Sequence, residues 1–279
     1  MSQLIDLLAG LPFEWARYEF MRNALVAVIL VSPLFALMGT LVVNNRMAFF
    51  SDAIGHASLT GLGLGVLLGL ADPLLSLIGF ALVLGVGILA LQRITRASMD
   101  TIISLSMSFS IALGVVLLSR GGNFNRYSHY LIGDLLSITP GDIGWLCLTV
   151  LVVGGGLLYF YNRILLIGLN DSLARSRGLN SWWAQMLFVS SIVMVVTMNL
   201  SWVGILIINS LLILPAAAAR NLAGNTRQYV LCAIAIALCS GVCGLLISYY
   251  ADTASGATIV LVAMGFYFLT LAVKALRRQ

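Results

Sequence analysis

The sequence predicts an all-α fold, a polytopic bundle of eight or nine transmembrane helices built as one domain over residues 1–279. Of the 279 residues, 61% are hydrophobic and 9% are charged, against roughly 25% charged in an ordinary soluble domain. Apolar stretches of about 20 residues, the length that crosses a bilayer, recur from Phe20 to Val273. These two observations exclude a water-soluble enzyme.

Successive apolar stretches define the predicted spans, with short polar segments between them. The spans are Phe20 to Val43, Asp52 to Ala71, Pro73 to Gln92, Thr101 to Ser119, Gly141 to Tyr161, Trp182 to Leu200, Val203 to Ala219, Tyr229 to Tyr250 and Ser255 to Val273. Between alternate spans, eleven of the 15 Lys and Arg residues lie on one side and four on the other. The positive-inside rule makes the richer side, with the C-terminus, cytoplasmic. With nine spans the N-terminus would lie outside.

Residues 1–19 precede the first span and mix apolar side chains with Asp6, Glu14, Arg17 and Glu19. They lack the positively charged leader and small-residue cleavage site of a signal peptide. Apolar and charged residues in this mixture are typical of a helix that lies in the membrane interface. We therefore predict an interfacial N-terminal segment.

The basic residues stand singly between apolar segments, and Lys occurs once, at Lys274. A nucleic-acid partner would require basic residues clustered on one face, so none is predicted. The sequence contains no Gly-x-x-x-x-Gly-Lys-Ser/Thr motif for nucleotide phosphates and no His-Glu-x-x-His motif. We predict no catalytic residues and no permanently bound cofactor, and any transport driven by ATP would need a separate ATPase chain.

One ionisable pair lies within the apolar segments, where such side chains are costly and therefore functional candidates. Asp52 and His56 are four residues apart, which places the carboxylate and the imidazole on one helix face. Oxygen and nitrogen ligands suit divalent zinc, manganese or iron. Two ligands with open positions would hold an ion weakly enough to release it.

A structural alternative remains for this pair. Asp52 could cap the second span, and His56 could make a hydrogen bond between helices. A stripe of small residues runs beside the pair, at Ala53, Ala57, Gly61, Gly65 and Gly69. Small residues at this spacing allow another helix to approach at backbone distance. The stripe favours the metal-ligand interpretation, because a histidine on an interior helix faces protein or a water-filled path.

The predicted cytoplasmic stretch over residues 169–181 indicates a short surface helix. Asn170 or Asp171 is the candidate cap, and Ala174, Arg175 and Gly178 follow before the next span. This stretch is either a solvated connector or a docking helix for a cytoplasmic partner. On the predicted outer side, the loop from Arg120 to Pro140 is long enough to bind a partner.

Several stretches together resemble the integral-membrane permease family of bacterial ABC importers for zinc, manganese and iron. The most specific is RMAFFSDAIGHASLTGLGLG at 46–65, supported by 100–119, 131–142, 169–179, 204–220 and 248–260. The resemblance covers the chain from about Arg22 to Thr270. One departure is Ser51, where the family usually has Gly before the Asp.

The resemblance implies a multi-pass protein of the bacterial inner membrane with a permease-type bundle. It implies that Asp52 and His56 form the metal site, and that Asn170 to Gly178 is the coupling helix that contacts a cytoplasmic ATPase subunit. It also implies an extracytoplasmic metal-binding protein and a second permease copy, which makes a homodimer in the lipid membrane.

The segment Ala57-Ser58-Leu59 after His56 resembles the zinc members more than the manganese members, so zinc is the favoured cargo and manganese or iron the alternative. A secondary metal/proton transporter that uses Asp52 and His56 as a proton relay is a further alternative. It would be expected to show repeated halves. A membrane-embedded metalloenzyme would need a third strong ligand and a general base.

Overall fold

The computed structural model describes residues 12–70, 74–95, 97–120 and 135–277, and within these ranges it contains helices and no strand. The prediction of an all-α transmembrane bundle is confirmed. The helices, in chain order, are α1 (Glu19–Asn44), α2 (Phe50–Leu67), α3 (Leu74–Ile94), α4 (Met99–Arg120), α5 (Pro140–Leu169), α6 (Asp171–Ser176), α7 (Ser181–Leu222), α8 (Thr226–Ala251) and α9 (Ser255–Leu276). Two 3-10 turns lie at Glu14–Arg17 and Leu135–Ser137.

The predicted count of eight or nine spans is slightly too high, because seven helices of the described chain are long and apolar enough to cross a membrane. Helix α2, which carries Asp52 and His56, is not among them. The predicted spans Trp182 to Leu200 and Val203 to Ala219 lie together in the 42-residue α7, where Gly204 has non-helical dihedral angles (φ 78°, ψ 154°). At 1.5 Å per residue, a straight helix of 42 residues would be much longer than the hydrocarbon thickness of about 30 Å.

The chain folds as two compact units. The first contains Met1–Val43, Asp134–Gly156 and Trp202–Gln279. Its helices pack through small residues: a Cβ atom at Gly241 would lie 2.5 Å from Cγ1 of Val28, and one at Gly244 would lie 2.5 Å from the Cα of Ile259. Glycines of α8 therefore allow close packing against side chains of α1 and against the backbone of α9.

Polar contacts add to this packing in the first unit. The Asn23 side chain donates a hydrogen bond to the carbonyl oxygen of Ile138. Near the C-terminus the Lys274 ammonium donates to Asn221, which in turn donates to Thr270. These bonds connect the end of α7 to α9.

The second unit contains Asn44–Gly133 and Leu157–Ser201. It holds α2, α3, α4 and α6, with the later part of α5 and the earlier part of α7. Both the predicted metal ligands and the predicted coupling helix belong to this unit.

Candidate metal centre

Asp52 and His56 face each other across one turn of α2. The His56 Nε2 atom lies 3.7 Å from the Asp52 Oδ1 atom, and the two side chains are 26% and 29% exposed for His56 and Asp52. Two ligand atoms bound to one zinc ion lie at most about 4.2 Å apart, given zinc–nitrogen and zinc–oxygen distances near 2.1 Å. The 3.7 Å separation of the two atoms is therefore compatible with both binding one zinc ion.

Asp52 does not cap α2. The N-cap position is Phe49, which has no side-chain capping bond, and Asp52 lies in the first helical turn. A carboxylate there is stabilised by the positive end of the helix dipole. Asp52 is therefore not the N-cap residue, although the dipole of α2 stabilises its carboxylate.

The structural alternative for His56, a hydrogen bond to another helix, has little support. Among the described residues its one polar partner is Asp52, so no hydrogen bond from His56 to another helix is present there. A polar side chain inside an apolar bundle is costly without a partner. The absence of an interhelical bond leaves the imidazole available as a ligand.

The small-residue stripe brings α2 against α3. A Cβ atom at Gly61 would lie 2.7 Å from the Cα of Leu77 and 2.7 Å from the carbonyl oxygen of Ser76. The Ser76 hydroxyl donates a hydrogen bond of 2.6 Å to the carbonyl oxygen of Gly61. The predicted close approach of a second helix is confirmed at Gly61.

On its other side α2 packs against α4. The Thr60 hydroxyl donates to the carbonyl oxygen of Ser110, and a Cβ atom at Gly114 would lie 2.7 Å from that hydroxyl oxygen. The ligand helix is thus held between α3 and α4 in the second unit. Sequence reasoning did not single out Gly114, because nothing local distinguishes it from the other glycines of apolar helices.

Asp52 and His56 are the two candidate ligands that this chain supplies. No group of three or more His, Cys, Asp or Glu side chains that could hold a metal occurs in the described ranges. Ser51, the residue that departs from the family pattern, is fully buried, and its hydroxyl has no hydrogen-bond partner among the described residues. One carboxylate and one imidazole are fewer than the four ligands of a structural zinc site.

The predicted coupling segment forms the six-residue helix α6. Its cap is Asn170, whose side chain accepts hydrogen bonds from the amide of Leu173 (3.1 Å) and from the hydroxyl of Ser172 (2.6 Å). Asp171 is the first helical residue rather than the cap. Ala174 is buried, whereas Arg175 is exposed.

Gly178 ends this helix in the left-handed region, with φ 74°. The amide of Gly178 donates to the carbonyl oxygen of Arg175 (2.9 Å), and the amide of Leu179 donates to that of Ala174 (3.1 Å). This pair of bonds is the Schellman arrangement. It requires a residue that tolerates positive φ, which explains the glycine at this position.

Other predicted regions lie partly outside the described residues. The predicted docking loop Arg120 to Pro140 is described only at its two ends, because residues 121–134 are outside the described ranges. The same holds for residues 1–11 of the predicted interfacial segment, whose described remainder contains the turn Glu14–Arg17.

Comparison with known proteins gives a consistent result. The sequence model of the ABC 3 transport family matches residues 17–274. The chain is 31% identical over 255 residues to the high-affinity zinc uptake system membrane protein ZnuB of Haemophilus influenzae, covering 91% of this chain and 97% of that protein. It is 28% identical over 254 residues to the manganese transport system membrane protein MntC of Listeria monocytogenes, covering 91% and 90%.

A solved structure resembles the fold over nearly the whole chain. It is PsaBC from Streptococcus pneumoniae in complex with Fab, with a TM-score of 0.78 and 26% sequence identity. The match covers 96% of this chain and 94% of that chain. The sequence comparisons and the structural comparison therefore both cover nearly the whole chain.

Proposed function

Because the chain belongs to the ABC 3 transport family, we propose that it is the permease subunit of an ABC importer that moves a divalent transition-metal ion, with zinc favoured, into the cytoplasm. The observation that carries this proposal is the family match over residues 17–274. The seven apolar helices make it a multi-pass membrane protein, and an importer of this family would lie in the bacterial inner membrane.

The choice of zinc is supported by the relatives and by the ligands. Proteins named for zinc uptake are similar to this chain in Haemophilus influenzae and in Buchnera aphidicola, at 31% and 27% identity. Carboxylate oxygen and imidazole nitrogen both bind zinc at distances near 2.1 Å. Manganese is the second candidate, since a similar protein of Listeria monocytogenes is named for manganese transport.

In the proposed mechanism Asp52 and His56 hold the ion within the membrane. One chain supplies two ligands, so a second permease copy would bring an identical pair and complete a four-ligand zinc site. Separating the two pairs would return the ion to two ligands and weaken its binding. Release toward the cytoplasm would then follow from helix movement alone.

Energy for this movement would come from another chain. The sequence has no phosphate-binding loop, so a cytoplasmic ATPase subunit would bind and hydrolyse ATP and contact the exposed helix from Asn170 to Gly178. An extracytoplasmic metal-binding protein would deliver the ion at the loop between Arg120 and Pro140. The permease itself would carry out no chemical reaction.

The proposal is tested by metal uptake in cells that lack this protein and are grown with limiting metal. Wild type should restore zinc content, whereas Asp52→Asn and His56→Ala should abolish uptake, because the ion loses half of the ligands that this chain supplies. Asp100→Asn is the matched control. Asp100 also lies in the first turn of a helix of the second unit, α4, and its side chain is exposed.

The variants must be present in the membrane with the ATPase subunit at wild-type levels, as measured by co-purification. Zinc uptake near wild type in both site variants would remove Asp52 and His56 from the metal site. Loss and recovery of manganese instead of zinc would keep the site and change the cargo.

A further inference from the structure

A buried junction in the second unit joins three helices next to the metal ligands. A Cβ atom at Gly85 of α3 would lie 3.0 Å from Cγ1 of Val189, 3.2 Å from Cγ2 of Val193 and 3.4 Å from Cζ of Phe50. We call these four residues the Gly85 junction. Because Gly85 has no side chain, α2, α3 and α7 meet there in direct contact.

Phe50 connects this junction to the metal centre. Its side chain is fully buried, and it is the first residue of α2, two positions before Asp52. The aromatic ring is therefore packed in the first turn of the helix that carries the carboxylate. Packed interiors transmit displacements because they contain few voids that could absorb them.

Val189 and Val193 connect the junction to the coupling helix. They lie on α7, which begins at Ser181, and α6 ends at Ser176. The short link between the two helices is restrained at both ends. The Leu179 amide bonds to Ala174, and the Asn180 side chain accepts from the amide of Trp182. These bonds attach the end of α6 to the start of α7.

A second contact, besides the one at Gly85, joins α3 to α7. The guanidinium carbon of Arg93, in the last turn of α3, lies 4.1 Å from the centre of the Trp182 ring in the first turn of α7. The end of α3 and the start of α7 are thus attached at this point as well as at Gly85.

From these contacts we infer that the Gly85 junction transmits movement of the coupling helix to the metal ligands, with Phe50 as a positioning residue for Asp52. This inference rests on the proposed function and adds the route by which the ATPase changes the metal site. Spatial continuity alone does not establish energetic coupling, so the test measures coupling directly.

The experiment uses the complex with its ATPase, reconstituted in lipid vesicles, and compares ions transported per ATP hydrolysed. Gly85→Ala places a methyl group against Val189 and Val193. We expect it to lower this ratio by roughly fivefold or more, the range of allosteric coupling energies, with ATPase association unchanged. Gly87→Ala is the matched control, because it lies two residues further along α3 and a Cβ atom there has no neighbour within 4 Å.

A second substitution separates coupling from general damage. Val189→Ala removes the atom closest to the added methyl group, so we expect it to lower the ratio alone but to restore it toward wild type in combination with Gly85→Ala. If the two substitutions merely damaged the structure, their effects on the ratio would instead add in the double variant. If Gly85→Ala does not assemble, an unchanged ratio in Val189→Ala overturns the inference.

Two outcomes distinguish this inference from the proposed function. Absence of ATP-dependent metal uptake by the wild-type complex would contradict the proposed function itself. Normal wild-type uptake, with Gly85→Ala and Gly87→Ala giving equal ratios, would contradict only the role of the junction.

Discussion

Helices α2 and α8 use the same packing device in different units. Each brings a glycine against the backbone of the next helix: Gly61 against Leu77 in the second unit, and Gly244 against Ile259 in the first. Helix α8 exposes apolar side chains along one face and carries no Asp, Glu or His. Helix α2 carries Asp52 and His56 and is largely buried.

The difference shows that close helix packing by itself does not indicate a functional site. In α8 small residues only permit tight contact between helices. In α2 the same kind of contact holds the helix that carries Asp52 and His56, which is not among the candidate spans. The proposed metal site lies where close helix packing and the Asp52–His56 pair occur on the same helix.

The largest expected effect that tests this comparison comes from replacing Gly61 and Gly244 with alanine. In Gly61→Ala and Gly244→Ala the added Cβ atom meets backbone atoms at 2.7 Å and 2.5 Å, which cannot move as a flexible side chain can. Each variant should lose roughly 1–3 kcal/mol of stability from overpacking. The measurement is thermal unfolding of the purified protein in detergent.

The two variants should differ in metal binding. Gly61→Ala displaces the helix that carries Asp52 and His56, so zinc affinity, measured by titration of the purified complex, should fall together with stability. Gly244→Ala should lose stability alone. Equal loss of zinc affinity in both would contradict the assignment of the metal centre to α2.

A smaller effect is expected at the end of the coupling helix. Gly178→Val forces a β-branched residue into the left-handed region, which costs about 1–2 kcal/mol even for an unbranched residue, and should distort the exposed helix. We expect ATPase association, measured by co-purification over a range of subunit concentrations, to weaken by about 5–30-fold.

Gly178→Asn is the control for this prediction, because asparagine tolerates positive φ. A Cβ atom at Gly178 has no neighbour within 4 Å, so a clash would not explain a defect. If the valine variant binds the ATPase as wild type does, the helix from Asn170 to Gly178 is a simple connector.

Much of the fold was predictable because hydropathy identifies membrane helices without reference to their neighbours. The resemblance to a metal importer permease family is confirmed by the family match. The span count was less accurate for two physical reasons. Asp52 and His56 lower the apolarity of α2, and the break at Gly204 leaves two predicted spans in one helical segment.

The candidate site was predictable where it depends on local spacing. The i, i+4 relation places Asp52 beside His56 in any helix, and the cap and terminal glycine of α6 follow from local chemistry. The Gly85 junction was not predictable. Gly85 and Gly87 have similar sequence surroundings, and only the tertiary structure shows that one is packed against three side chains and the other against none.

The smallest expected effect concerns the contact between Arg93 and Trp182. This contact joins two helices and can be compared with a similar contact inside a single helix. The Arg163 guanidinium also lies over aromatic rings, 5.6 Å from Phe160 and 5.9 Å from Tyr159, but all three residues belong to α5. A cation–π contact contributes about 0.5–1 kcal/mol at an exposed site. Arg93→Gln should therefore lower the ions transported per ATP by about two- to fivefold, whereas Arg163→Gln should leave this ratio unchanged.

A double-mutant cycle with Trp182→Leu completes this test. If Arg93 acts through the indole ring, Arg93→Gln should have no further effect once the ring is removed, because the energy belongs to the pair. If the double variant instead loses the sum of what the two single variants lose, Arg93 has a separate role at the helix end. The connection between α3 and α7 would then depend on the Gly85 junction alone, since that contact is made by buried apolar atoms and needs no charge.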